Sequence, residues 1–173
     1  MDASLIQYLS SGIRRFKTKP ILQHTRTNWE FYAVIQGRCG VLLDGDEQMP
    51  VRSRRLWVFP PGHFHGWHGE EEHCSVVVVH ASSVPLQLVA AVPSIGILER
   101  RLTAVQCRQI EAIGRAIEPE FHHPSPLSEL YFHRAIIDLS VIALGGKLPI
   151  VRGSLGPRMS KCSTRTLSLE IRS

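Results

Sequence analysis

Several things are scarce in this sequence, and each scarcity removes a class of answer. The four cysteines, Cys39, Cys74, Cys107 and Cys162, include no Cys-x-x-Cys pair. That spacing argues against a zinc knuckle and a small disulfide framework, and scattered thiols of this kind read as small buried hydrophobes. No apolar run approaches the ~20 residues that a membrane-spanning helix needs. The opening "MDASLIQYLSSGIRRF" also lacks the basic start and following apolar stretch of a signal peptide. The expected compartment is the cytoplasm, with no membrane partner.

What remains is enough for one domain. At 173 residues with 43% hydrophobic side chains the chain can bury a real core, and it is marginal for two. The net charge of +5 fits work near nucleic acid. Its local sources, "RRFKTK" at 14–19 and "RSRR" at 52–55, read as solvated edges rather than phosphate contacts.

From about Trp29 to His80 short strands alternate with turns. "EFYAVIQG" ends at Gly37, "CGVLLDGDEQMPV" carries an Asp44-Gly45 hairpin signal, "RRLWVFPPG" stops at a Pro-Pro-Gly turn, and "HCSVVVVHA" is a β-branched run. Turns about every ten residues, with no helix between the strands, predict an antiparallel barrel or sandwich and disfavour a parallel α/β sheet.

After Pro93 the period changes to that of helices. Thr103 and Gln106 form a capping box, Leu102 and Cys107 a hydrophobic staple, and Ile110, Ile113 and Ile117 share one face before Pro119, which is expected to stop the helix. A second helix is predicted from Ser125 as N-cap, with Pro126 at its first position, to Gly145-Gly146. It carries Leu127, Leu130, Ile137, Val141 and Leu144, and also Ile136, Leu139 and Ile142, so it needs cover on two sides. A second copy of the chain would supply one of them; a monomer with both sides packed internally fits the pattern nearly as well. Residues 147–173 show no sustained period and read as a linker or tail.

The stretch "FPPGHFHGW", Phe59 to Trp67, sets two histidines behind a turn, and a metal site, a ligand pocket and a decorated turn are all open readings. His24, Arg26, Glu30 and Gly37 in "HTRTNWEFYAVIQG" resemble the first cupin motif, His-x-His-x3-Glu-x6-Gly, with Arg26 in place of the second histidine. Pro60, Gly62 and His65 match the second motif, Pro-x-Gly-x2-His. Thr18 and Arg54 stand where each motif opens with glycine. The resemblance implies that His24, Arg26, Glu30 and His65 converge inside a barrel.

Three ligands of the two-His-one-carboxylate kind, His24, Glu30 and His65, would suit a divalent metal. Arg26 argues against one, because a guanidinium keeps its proton and repels a cation; it suits a sugar hydroxyl, a carboxylate or a phosphate instead. Trp29, Phe31, Tyr32, Trp57, Phe59, Phe64 and Trp67 crowd the same segments. They read either as pocket walls or as filling for a small barrel. His63 and His68 read as turn and rim residues, and His73, His80 and His133 have no identifiable partner.

Over roughly residues 5–145 the chain is similar to the N-terminal sensor domain of AraC-type transcriptional regulators: "NWEFYAVIQGRCGVLLDG", then "LWVFPPGHFHGW", then two helices. The resemblance implies a mainly β fold, a cupin-type antiparallel barrel (double-stranded β-helix) followed by two C-terminal helices. It places the barrel with an N-terminal arm at 1–95, a helical dimerisation pair at 96–146 and a linker at 147–173. It further implies a non-enzymatic sensor of a small effector, a sugar or an organic acid, held by His24, Arg26, Glu30, Tyr32, Trp29, Trp57 and His65. The arm would respond to that effector, and a homodimer would form through the helices. Neither cofactor nor metal is part of this reading, and DNA would be bound only through a helix-turn-helix domain that this chain has no room for. "GPRM" at 156–159 resembles the opening of that domain. The alternative from another class is a small metal-dependent cupin enzyme, an isomerase or a dioxygenase.

Overall fold

A computed structural model describes residues 4–92 and 96–148. Its strands are β1 (Ile6–Arg14), β2 (Ile21–Thr25), β3 (Trp29–Gln36), β4 (Gly40–Leu42), β5 (Arg55–Phe59), β6 (Phe64–His68), β7 (Cys74–Ala81) and β8 (Leu98–Arg101). The helices are α1 (Leu86–Ala91), α2 (Ala104–His122) and α3 (Ser128–Ala143). Every pairing is antiparallel. One sheet runs β1-β7-β3-β5-β8 and the other β2-β6-β4. This is the mainly β architecture with terminal helices that the cupin resemblance implied.

The larger sheet separates two cores. Alternate residues of a strand face opposite sides, so Tyr32 and Val34 of β3 join Trp57, Trp67, Val76 and Val78 between the sheets, while Phe31 and Ala33 join Leu56, Val77 and Val79 under the helices. Strands covered on both faces have no polar face to show. That is why "EFYAV" and "VVVV" run almost unbroken.

Turn chemistry closes the strands as the sequence predicts. Gly37, the glycine of the first motif, has φ +80, and a Cβ there would lie 2.5 Å from the His73 carbonyl oxygen. Asp44 opens a one-turn 3-10 helix, Asp44–Asp46, and the Leu43 N–H donates to the Glu47 carbonyl at 2.8 Å to close the hairpin.

The N-terminal arm itself is a strand, with β1 paired along β7 from Ile6 opposite Ala81 to Arg14 opposite Cys74, and with Ile6 and Phe16 buried. Three expectations need correction. The sheet extends beyond residue 95, because β8 pairs with β5. Pro119 does not stop α2, which continues to His122. Proline removes one N–H, yet the His123 N–H still reaches the Pro119 carbonyl at 2.8 Å, and Phe121 packs on the helical core. Finally, α3 begins at Ser128 rather than after Ser125. The Ser125 hydroxyl accepts from the Leu127 N–H at 3.2 Å, but in a separate turn before the helix.

The remaining helix signals hold. The Thr103 capping box is formed, with Gln106 N–H donating to Thr103 Oγ1 at 3.2 Å and Thr103 N–H to Gln106 Oε1 at 2.9 Å. Gly145, at φ +83, ends α3: its N–H donates to the Ile142 carbonyl at 3.0 Å and that of Gly146 to Val141 at 2.8 Å. Arg100 of β8 donates to the Ala143 carbonyl at 2.9 Å, placing a cation at the negative end of α3. Ile136, Leu139 and Ile142 face inward, whereas Leu127, Leu130, Ile137 and Leu144 face out. No helix among the described residues is long and apolar enough to cross a membrane. Cys162, "GPRM" and the tail from 149 on lie outside the described residues.

Candidate functional site

The Pro-Pro-Gly turn works as a clamp on the first motif. Pro61 fixes its own φ, Gly62 takes φ +84, and His63 N–H donates back to the Pro60 carbonyl at 3.3 Å. The turn's Gly62 N–H then donates to the Arg26 carbonyl at 2.7 Å. Two motifs far apart in sequence are thereby locked together, with Arg26 held against β6.

Glu30 sits at the centre of the site. Its side chain is 1% exposed, and Oε2 lies 2.6 Å from Arg26 Nε, 3.3 Å from His65 Nε2 and 3.3 Å from His80 Nε2. Oε1 meets no donor among the described residues. Burial alone would raise this carboxyl, but the ring N–H groups of His65 and His80 and the charge of Arg26 outweigh it and bring the pKa down to about 2. Glu30 is therefore a buried carboxylate at neutral pH.

His65 faces both partners of that ion pair. Its Nε2 lies 3.1 Å from Arg26 Nη1 as well as near Glu30, while its Nδ1 lies 3.2 Å from the His63 carbonyl. Burial pushes its pKa down, so the ring carries one proton at neutral pH. On Nε2 that proton is donated to Glu30; on Nδ1 it is aimed at the His63 carbonyl, and Nε2 accepts from Arg26. Phe59 stacks on the ring at 3.7 Å and holds its plane.

The cluster opens into a cavity of about 280 Å³ lined by Tyr8, Arg14, His24, Tyr32, Val78 and His80 together with Arg26 and Glu30. Arg14 donates to Ser10 Oγ at 2.5 Å and to Tyr8 Oη at 3.5 Å, and no carboxylate among the described residues pairs with it. Buried Tyr32 Oη has no partner among the described residues. A wider, shallower depression of about 700 Å³, lined by Asp44, Glu47, Pro60, His63 and Phe64 among others, lies apart from these groups. It brings no buried charge to a focus, so the smaller cavity is the chemically organised one.

Of the residues expected at the site, Arg26, Glu30 and His65 converge and Tyr32 lines the same cavity. His24 reaches only its rim: Nδ1 donates to the Leu22 carbonyl at 3.0 Å. Trp29 packs with the helical core, on the sheet face opposite Glu30, and Trp57 is fully buried among Trp67 and Tyr32 rather than in the cavity wall. Trp57 fills the space between the sheets, and Trp29 lies outside it under the helices. His80, Tyr8 and Arg14 were not foreseen; they arrive on β7 and β1, which carry no motif.

The donor set does not fit a divalent metal. The Arg26 guanidinium sits 2.6 Å from Glu30 and 3.1 Å from His65, where a cation would have to be. Among the described residues no cluster of three histidine, cysteine or acidic side chains is placed to hold a metal ion.

No family model matches the sequence, and no curated protein matches it. Solved structures do match. The apo form of a ToxT variant from Vibrio cholerae strain SCE256 superposes with a TM-score of 0.50 at 9% identity, over 78% of this chain and 53% of that one. The AraC-like transcriptional activator CuxR gives 0.43 at 12% identity, over 74% and 46%. A cupin-2 domain containing protein from Shewanella frigidimarina gives 0.31 at 16%, over 42% and 64%. The chain thus spans about half the length of the two regulators. The likeness to ToxT shows the fold, and it is the one that the AraC-type resemblance implied.

Proposed function

We propose that this chain is the effector-sensing and dimerisation domain of an AraC-type transcriptional regulator, and not an enzyme. One observation carries the reading: Arg26, Glu30 and His80, backed by buried His65, wall a cavity in which Glu30 Oε1, Tyr32 Oη and the Arg14 guanidinium are still open to a ligand. An unsatisfied buried acceptor suits a ligand hydroxyl, and a cation without a carboxylate suits a ligand anion. An organic acid or sugar acid that also carries a hydroxyl uses both, the hydroxyl donating to Glu30 and the carboxylate facing Arg14.

Because Arg14 and Tyr8 belong to β1, such a ligand bears directly on the N-terminal strand. Binding would tighten its contact with β7 and so bias the packing of the helical layer, since β1 lies against α2 and the Leu5 N–H just before it lies 3.4 Å from Glu129 Oε2 of α3. The outward apolar residues of α3 support a homodimer through the helices. DNA would be contacted by a helix-turn-helix domain, which the described residues do not contain.

Thermal shift on the full chain against sugars, hydroxy acids and an unsaturated fatty acid, the class crystallised with ToxT, tests this. A ligand at a hundred times its Kd adds about 2.7 kcal/mol, a rise of several degrees. The rise is expected for hydroxylated acids and is expected to vanish in Arg14→Gln. A melting point that no member of the panel moves would sink the sensor reading.

A further inference from the structure

Outside that cavity the fold builds a second concentration of charge. Arg55 opens β5 and stands opposite Arg101 at the end of β8. The chain leading into β5 bridges Arg52 to Cys39, next to Arg38, through paired backbone hydrogen bonds of 2.8 and 3.2 Å. Between them Arg54 takes φ +48, the left-handed region, and its carbonyl accepts from the Leu102 N–H at 2.8 Å.

Three chain segments thus meet around a depression of about 370 Å³ whose lining holds Arg38, Arg52, Arg54, Arg55 and Arg101 and no carboxylate. Neighbouring acids neutralise part of this charge. Glu99 lies 2.7 Å from Arg55 and 3.6 Å from Arg52, and Glu71 and Glu70 lie 2.8 and 3.5 Å from Arg38. Arg54 and Arg101 have no carboxylate partner among the described residues.

We infer that this depression is a second ligand site, one for a small molecule bearing a phosphate or diphosphate group. Arg55 faces Arg101 directly across an antiparallel pair, an unfavourable placing of like charges, and with Glu99 engaged by Arg55 and Arg52 no carboxylate among the described residues answers Arg101. Guanidinium forks match phosphate oxygens in pairs, and the two unpaired arginines supply the charge of one dianion. The concave shape and a volume within the usual roughly 300–1,000 Å³ range suit a small molecule. No aromatic side chain lines the depression to stack bases, which disfavours a nucleic-acid strand. The helix α2 begins three residues after Arg101, adding its positive end nearby. Arginines on β8 also keep that sheet edge from pairing with another chain, but that role needs no ligand.

Calorimetric titration of the full chain with inorganic pyrophosphate at physiological salt decides the matter. Saturable one-to-one binding is expected, weakened about tenfold in Arg101→Gln and in Arg54→Gln, the loss of one charge-assisted hydrogen bond. Both side chains are exposed, so neither change opens the core. Arg15→Gln, an equal loss of charge at an exposed position away from the depression, is expected to leave binding unaltered. Absence of saturation in the unaltered chain overturns the inference, as does an equal loss in Arg15→Gln. So does binding of a DNA duplex through Arg54 and Arg101 where pyrophosphate fails.

Discussion

Glu30 makes the stability of the molecule depend on pH in a way that can be worked out by sign. Its carboxyl titrates near 4.5 when unfolded and at about 2 when folded, so its contribution is complete above pH 4.5 and is lost as pH falls toward 2. The loss amounts to about 3 kcal/mol. His65 acts at higher pH: its folded pKa is lowered by burial, so the unfolded chain takes up the proton first, and stability begins to fall as pH drops below 6.5. His63, lowered by burial and by the neighbouring His65, adds in the same direction. Urea titrations from pH 7 to pH 2 are expected to show both steps, and Glu30→Gln is expected to abolish the lower one. A curve for Glu30→Gln parallel to that of the natural chain would show that the carboxylate is not the titrating group. Arg26, Glu30 and His65 were legible because the cupin motifs name their positions. His80 was not: on a strand apolar on both faces, nothing in "SVVVVHA" tells which side a residue takes, and only pairing with β3 sets it opposite Glu30.

The same two-sidedness governs the elements. Capping chemistry announced α2 and the end of α3, since a Thr-x-x-Gln box and a Gly-Gly stop act within a few residues and need no tertiary partner. Strands β1 and β8 went unread because they are sheet edges, β1 broken by a Ser-Ser-Gly run and β8 only four residues long, with little alternation to detect. Trp29 and Trp57 were misassigned for a related reason. Aromatic content marks a buried segment but not whether its neighbour is a cavity or another side chain. The two apolar faces of α3 separate cleanly in the structure and carry distinct expectations. Leu139→Ala, at a position 1% exposed, is expected to cost roughly 2–5 kcal/mol in chemical denaturation. Ile137→Glu, at a position 53% exposed, is expected to leave stability within about 0.5 kcal/mol while halving the mass in sedimentation equilibrium. A mass unchanged by Ile137→Glu would place any self-association on another face.

At the scale of the whole molecule, two charged sites lie apart on one sheet system: a buried, matched cluster between the sheets and a more exposed, partly unmatched one at the β5–β8 edge. The first adjoins the N-terminal strand through Arg14 and Tyr8, the second the start of the helical layer through Leu102. Strand β3 imposes a constraint of another kind, on how such a chain can change over generations. Its residues alternate between the charged cavity and the greasy underside of the helices, so replacing side chains one at a time keeps each in its own compartment; a fold shared at 9% identity shows how far that can go. Gaining or losing one codon within β3 is different. Ahead of Glu30 it would carry Glu30 into the helical core and Phe31 into the polar cavity at a single stroke, unless a register shift like the one already present between Val34 and Gln36 absorbed it, so a change of length asks far more of that strand than a change of side chain.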